Sequence, residues 1–320
     1  MKICLNMIVK NESKIIQRCL NSVVKLIDFF VIMDTGSTDG TDKKIVQFFD
    51  DHNKELDKNT KIKGIFLKDK FTNFSETRNK SLSIAYQACN CDYILLIDAD
   101  HVVKFPKMSE LDFKKGLSKF IDIGSFYISQ QDSLLSYKNT RLIKNNNSYY
   151  YKGYTHEVLL SHQKDKRITL SDDQIYIQDL GDGGSKTDKA IRDQKLLLQQ
   201  IKEEPSFSRS YFYLANTYYG QKNIEEAEKY YRKRISFGGW EQELWYCYYR
   251  LGLIKIVQKN TPEAIFFLIS SIETDARRLE SFFHLLLIFR ELRMDYCFNI
   301  YLKQATDIYY SKNQITDYLF

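Results

Sequence analysis

The sequence predicts an α/β domain with a mostly parallel sheet over residues 1–187, followed by an all-α domain of helical repeats over 188–320. Apolar runs hand over to segments of helical period three times before residue 92, and a fourth apolar run follows. From Lys189 onward glycine and proline are rare and the period stays helical. A chain of 320 residues is long enough for two such domains, each with its own core.

Composition narrows the class. The 43% hydrophobic and 28% charged fractions are those of a soluble globular protein. A net charge of +6 is too mild to predict a nucleic-acid partner, though it suits a substrate that carries phosphates. The first residues are too poor in apolar side chains for a signal peptide, and no apolar segment reaches the length of a membrane span, so a cytoplasmic protein is expected. The six cysteines (Cys4, Cys19, Cys89, Cys91, Cys247, Cys297) are scattered along the chain, and Cys89-Asn90-Cys91 lacks the two-residue gap of a zinc knuckle. Reduced structural thiols are expected.

In chain order, the apolar run Ile3 to Val9 leads to Lys10-Asn11-Glu12 and then to Ile15, Ile16, Cys19, Leu20 and Val23. That change of period predicts a strand and an amphipathic helix, with Asn11 or Ser13 as the cap. Phe29 to Met33 predicts a second strand. It ends in Asp34-Thr35-Gly36-Ser37-Thr38-Asp39-Gly40-Thr41, a tight turn with exposed backbone N–H groups. A helix through Ile45, Val46, Phe48 and Phe49 follows, then a strand from Ile62 to Leu67. The next helix, capped by Ser75, buries Leu82, Ala85, Tyr86 and Cys89. Right-handed crossovers between these strands make the sheet mostly parallel and bring its strand ends to one edge, where ligands bind in such sheets.

The fourth strand, Tyr93 to Ile97, ends in Asp98-Ala99-Asp100-His101. Two carboxylates one residue apart at a strand mouth offer hard oxygen ligands to Mg²⁺ or Mn²⁺ held together with a substrate's phosphates. An isolated Asp-x-Asp is more often a simple strand stop. Convergence of Asn11, Glu12, Asp34, Asp98 and Asp100 on one edge favours the functional alternative.

The stretches Met7-Ile8-Val9-Lys10-Asn11-Glu12, Asp34 to Thr41, Phe74-Ser75-Glu76-Thr77-Arg78-Asn79 and Ile97-Asp98-Ala99-Asp100 resemble, in order and spacing, the nucleotide-sugar half of family 2 glycosyltransferases with the GT-A fold. The resemblance covers roughly the first half of the chain. It implies a nucleoside-diphosphate sugar donor, most often a UDP-sugar, a divalent metal, and inversion at the anomeric carbon. By position, Asp34 would accept a hydrogen bond from the base, Asn11 would line the nucleotide pocket beside Glu12 and the Gly36 turn, and Arg78 would face the diphosphate from the first turn of its helix. Asp98 would hold the ribose or a metal-bound water, and Asp100 the metal.

Beyond Pro106 a short helical stretch precedes three alternating segments, Ser125 to Gln130, Tyr137 to Ile143 and Tyr149 to Leu160, which predict antiparallel strands. His156 and Glu157 stand on the last of these, with Arg141-Leu142-Ile143 upstream. Similar His-Glu pairs after an Arg-Leu segment occur in relatives that bear helical repeats. Glu157 is the expected base toward the acceptor, with His156 beside it or on the metal, and Asp132 is the competing base. Neighbours on a strand point to opposite faces, so His156 and Glu157 both face the donor only across a bulge. Farther on, Asp179 stands near the place where relatives carry a metal-ligating His, and Asp179 or His156 would complete the metal site. Gly181 to Lys186 reads either as a lid over the diphosphate, with Lys186 as its cation, or as a linker.

In the second half, Tyr211-x-x-Leu214-Ala215-x-x-Tyr218 with Ala227-x-x-x-Tyr231 fits the template of a tetratricopeptide repeat. Taking Ala215, Gly252 and Leu286 as equivalent gives offsets of 37 and 34 residues, against the expected ~34. About three helix pairs follow. Their concave face is expected to hold a polypeptide or glycan acceptor, or a second copy in a homodimer, and Trp240 after Gly238-Gly239 is a candidate for stacking on it. Two functions remain open from sequence: a metal-dependent transferase, and a catalytically inactive nucleotide-sugar-binding scaffold whose repeats mediate protein interaction.

Overall fold

The computed structural model describes residues 1–58, 60–132, 135–184 and 189–311. The chain forms two compact units, the first running Met1–Lys189 and the second beginning at Ala190.

In the first unit β1 (Ile3–Val9), α1 (Ile16–Val23), β2 (Phe29–Asp34), α2 (Thr41–Lys54), β3 (Lys63–Lys68), α3 (Phe74–Ala88) and β4 (Tyr93–Leu96) alternate as the periods predict. Their strands pair in parallel in the order β3-β2-β1-β4. The near-continuous apolar character of β1 and β4 follows from cover on both faces, where Leu5 and Leu95 belong to one buried cluster and Cys4 and Ile94 to the other. In register, Val9 lies beside Asp34 and Asp34 beside Lys68, so the C-terminal strand ends form a single rim.

The sheet continues with β5 (His101–Lys104), β6 (Ser125–Gln131), β7 (Ser136–Lys144), β10 (Arg167–Thr169) and β11 (Tyr176–Asp179), while α4 (Glu110–Leu117) packs on it. Here β7 runs antiparallel to β4 and β6, and β11 antiparallel to β5.

Three local expectations are corrected. The alternating run 149–160 is not one strand but a hairpin, β8 (Tyr149–Lys152) paired with β9 (Val158–Ser161). Gly153 at φ 114° and His156 at φ 52° turn the chain between them. The cap of α3 is Asn73 rather than Ser75: Asn73 has the extended backbone a cap needs, and its Oδ1 accepts the Glu76 N–H at 2.9 Å. Ser75 instead donates its hydroxyl to that same oxygen at 3.1 Å. Neither Asn11 nor Ser13 caps α1, which begins at Ile16 without a side-chain cap.

The second unit is helical: α5 (Lys189–Glu203), α6 (Ser208–Gly220), α7 (Ile224–Ile235), α8 (Glu241–Val257), α9 (Thr261–Thr274), α10 (Leu279–Glu291) and α11 (Asp295–Tyr310). The helix pairs α6/α7, α8/α9 and α10/α11 are joined by the same turn. Lys222, Lys259 and Arg293 each adopt positive φ. After each, a backbone N–H returns to the carbonyl five residues earlier, Asn223 to Tyr218, Asn260 to Lys255 and Met294 to Phe289, all at 2.9 Å. This is the Schellman closure, and it recurs at the offsets read from the sequence. Asn223 and Asn260 then cap α7 and α9 by accepting from Glu226 and Glu263. Gly252 is required where α8 crosses α9, because a Cβ there would lie 2.8 Å from the Leu268 side chain.

Candidate active site

Asp34 closes β2 with its side chain fully buried. Its Oδ1 accepts the N–H groups of Gly36 and Ser37 at 2.9 and 2.7 Å, while Oδ2 is buried with no partner. A carboxylate oxygen left unpaired in the interior is costly, and a donor group of a ligand would satisfy it. Asn11, at φ 56°, braces the turn that follows: its N–H donates to Ser37 Oγ at 2.9 Å and its Oδ1 accepts the Thr38 N–H at 2.8 Å. Glu12 donates its backbone N–H to Thr41 Oγ1 at 2.7 Å and accepts the Gly184 N–H on Oε2 at 2.9 Å. Burial, and then the charges of Asp100, Asp39 and Asp182, push its carboxyl up to about 7.

Gly183 and Gly184 lie against this rim. A Cβ on Gly183 would stand 3.3 Å from Asp100 Oδ2, and one on Gly184 only 2.0 Å from the Asn11 carbonyl oxygen. The glycines therefore serve close approach. Lys186 and Ser185 lie outside the described residues.

Arg78, at the start of the second turn of α3 rather than in the first, forms the centre of an ion network. Its Nε donates to Glu157 Oε1 at 2.6 Å and its Nη2 to Asp98 Oδ1 at 2.7 Å. Arg141 reaches Asp98 Oδ2 at 3.4 Å. Burial alone would raise the Asp98 carboxyl, but Arg78, His101 and Arg141 hold it well below the usual carboxylate range. The hairpin is keyed to α3 by the Phe74 N–H bonding to the Tyr154 carbonyl at 2.9 Å, and by the Asn79 carboxamide bonding to the Tyr151 backbone at 2.6 and 2.8 Å. This is how Glu157 arrives beside Arg78. His156 is the left-handed residue of the turn just before it.

Among the described residues, Asp100, His101 and Asp179 place one potential ligand atom each within 4.8 Å of one another. Antiparallel pairing of β5 with β11 sets Asp179 directly opposite His101. Gln130, nearly fully buried, fixes the group. Its Oε1 accepts from Arg141 Nη2 at 2.6 Å, and its Nε2 donates to Asp179 Oδ2 at 2.8 Å and lies 3.2 Å from His101 Nε2. His101 and Gln130 hold the Asp179 carboxyl down to about 2 against its burial. Burial and the charges of Asp98 and Asp179 push Asp100 up. Two carboxylates and an imidazole, with one carboxylate destabilised by its neighbours, are a donor set that fits Mn²⁺ or Mg²⁺.

Of the expected metal residues, Asp100 and Asp179 are brought together, and Asp98 is placed between the two arginines instead. The sequence reading passed over His101 and Gln130. His101 carried a signal, since it directly follows Asp98-Ala99-Asp100. Gln130 carried none.

Beside Asp179 lies a cavity of about 450 Å³ lined by Gln131, Asp132, Tyr176, Gln178, Asp179, Leu180 and Gly181. Asp132, one of these lining residues, accepts the Leu135 N–H on Oδ1 at 2.8 Å.

A mostly parallel sheet whose strand ends collect carboxylates, arginines and an Asp-His-Asp group is an α/β domain with its ligand-binding edge at those strand ends. The profile of Glycosyl transferase family 2 matches residues 4–168, and the chain belongs to that family. Among solved structures, residues 1–349 of S. aureus TarS align with a TM-score of 0.44 and 14% identity over 86% of this chain and 92% of that one. MamA aligns with a TM-score of 0.32 and 16% identity over 36% of this chain. YrrB, described as a TPR protein with an unusual peptide-binding site, aligns with a TM-score of 0.33 and 18% identity over 39% of it. The chain spans 66% of MamA and 62% of YrrB. A comparison with curated proteins finds no match. No helix among the described residues is long and apolar enough to cross a membrane.

Proposed function

We propose that this family 2 glycosyltransferase moves a sugar from a nucleoside-diphosphate donor, a UDP-sugar, to a polypeptide or glycan acceptor with inversion at the anomeric carbon. The observation that carries the reading is the convergence, on one strand rim, of the unpaired Asp34 Oδ2, the Arg78–Asp98–Arg141 network and the Asp100–His101–Asp179 group.

Asp34 Oδ2 accepts an N–H of the base, and Asn11 holds the turn that shapes the base pocket. Arg78 and Arg141 turn from Asp98 toward the diphosphate and stabilise its growing charge as it leaves. Asp100, His101 and Asp179 would hold Mn²⁺ or Mg²⁺, which would supply Lewis-acid stabilisation of negative charge on the diphosphate. The base that takes the acceptor's proton is Glu157, bonded to Arg78, or Asp132, which lines the cavity. The cavity suits the acceptor's reactive end. In the helical unit, Trp240 stands half exposed beside Arg209, a candidate for stacking on a polypeptide or glycan. Outward-facing Tyr296 and Tyr310 on α11, 80% and 77% exposed, fit a homodimer through the helical domain. Six free thiols suit a cytoplasmic setting.

The test is release of UDP from a panel of UDP-sugars by purified protein with Mn²⁺. Turnover abolished in Asp100→Ala supports the reading, and turnover indifferent to excess chelator sinks the metal's part in it. A pH–rate profile that loses its acidic limb in Glu157→Gln but not in Asp132→Asn, or the reverse, identifies the base.

A further inference from the structure

Arginines drawn into the helical unit are met by carboxylates, Arg192 by Asp193 and both Arg209 and Arg234 by Glu243. Arg250, on α8, is half-buried and makes no ion pair among the described residues. Its guanidinium carbon lies 4.7 Å from the ring centres of Tyr219 and of Tyr246. Nη2 donates to the Tyr246 hydroxyl, while Nε is buried with no acceptor. Ring faces ease the burial of a cation but leave its charge in place, and a guanidinium cannot shed that charge by losing a proton.

No acid on the surrounding helices is placed to balance it. The α6 segment carries no acidic residue. On α8 the two acids are Glu241 and Glu243. Glu243 is taken up by Arg209 and Arg234, and Glu241 lies more than two turns away, about 13 Å along the helix. The stack of Tyr219, Arg250 and Tyr246 spans α6 and α8, the first helices of successive pairs. The same surface runs on to α10, where Tyr249 Oη lies 3.4 Å from His284 Nε2. Tyr213, Arg250 and His284 stand at the offsets that relate Ala215, Gly252 and Leu286, so the three helices present equivalent positions there. Next to His284 the ring of Phe283 is 60% exposed, and Leu287, one turn on, is 38% exposed.

We propose that Arg250, flanked by Tyr219 and Tyr246, anchors an Asp or Glu side chain of a bound polypeptide, and that an apolar side chain of the same polypeptide rests on Phe283 and Leu287. One guanidinium balances the single charge of a carboxylate and leaves the second charge of a phosphate unmet. A neutral glycan offers hydroxyls and no counter-charge. The anchor stands whether or not that polypeptide is the sugar acceptor.

The whole protein, without donor or metal, is dialysed against a pool of short labelled peptides, each carrying one Asp and one Phe among Gly, Ala and Ser. Parallel pools carry Asn or phosphoserine in place of Asp. Wild type is expected to retain the Asp pool about tenfold better than the Asn pool, and to lose most of that preference in about 1 M salt. Arg250→Met should abolish the preference. Phe283→Ala should keep it while lowering retention of the Asp pool about fivefold. The anchor is overturned if wild type treats the Asp and Asn pools alike, if Arg250→Met keeps the preference, or if the phosphoserine pool is retained above the Asp pool. The wild-type comparison decides the question even if a variant folds poorly. Protein that selects the Asp pool yet releases no UDP from any donor would keep the anchor and lose the transferase reading.

Discussion

Both units bury charge, and they do so in opposite ways. In the helical unit Glu243 gives one oxygen to Arg209 and the other to Arg234, each at 2.8 Å, and Arg234 also bonds the Gly238 carbonyl at 2.7 Å. Lys255 is met in the same manner by Glu228 and Glu263. These networks are closed: every carboxylate oxygen of Glu243 has its cation. At the strand rim the balance is left open. Asp34 keeps an unpaired oxygen, Glu12 is pushed up by burial and by the charge of Asp100, and Asp100 by burial and by the charges of Asp98 and Asp179. A paired interior charge serves the fold, whereas an interior excess of one sign stores a demand that a ligand of the other sign meets.

That contrast is most sharply tested at Asp100. Asp100→Asn should lower donor turnover by about 10²–10³-fold or more, while its melting temperature in the absence of divalent ions rises, because like-charge repulsion is relieved. Calorimetry with and without Mn²⁺ reads both arms, and a variant that is less stable and still active would erase the distinction. Glu243→Ala should do the reverse: a loss of about 3–5 kcal/mol in denaturant unfolding, from stranding Arg234 in the interior, with UDP release by the folded protein retained. Gly184→Ala sits between the two. Its Cβ would meet the Asn11 carbonyl at 2.0 Å, so a stability loss of about 1–3 kcal/mol together with a raised donor KM is expected.

The smallest effect concerns pH. The Glu12 carboxyl stands near 7 in the folded chain against an ordinary value of 4.5. Its folded value is raised, so the stability it lends is fully present below about 4.5 and is lost as pH climbs through about 7. The melting temperature of wild type should fall across that window relative to Glu12→Gln, and saturating Mn²⁺ should flatten the difference. Parallel curves for the two proteins would remove Glu12 from the electrostatic excess.

The parallel half of the sheet and the helical repeats were legible because both write themselves locally. Buried parallel strands are continuous apolar runs, and the repeated turn left its offsets in plain view at Ala215 and Gly252. What escaped depends on partners distant in the chain. Nothing near Asp179 says that antiparallel pairing will set it opposite His101, and a carboxamide such as Gln130 looks like any other strand residue until Arg141 and Asp179 meet it. The hairpin at 149–161 was hidden because alternation reads the same on one strand or on two. Only Gly153 hinted at a break, and His156 adopts a backbone more usual for glycine.

The pairing of β11 with β5 has a consequence for how this chain tolerates change. Because side chains alternate along a strand, losing a single residue from 171–175 would slide β11 by one step and swing Asp179 to the far side of the sheet. A two-residue deletion would keep the parity and move the carboxylate along the strand instead. Length variation upstream of Tyr176 should therefore be felt by odd and even counts differently, and the activity of such deletions would trace that rhythm.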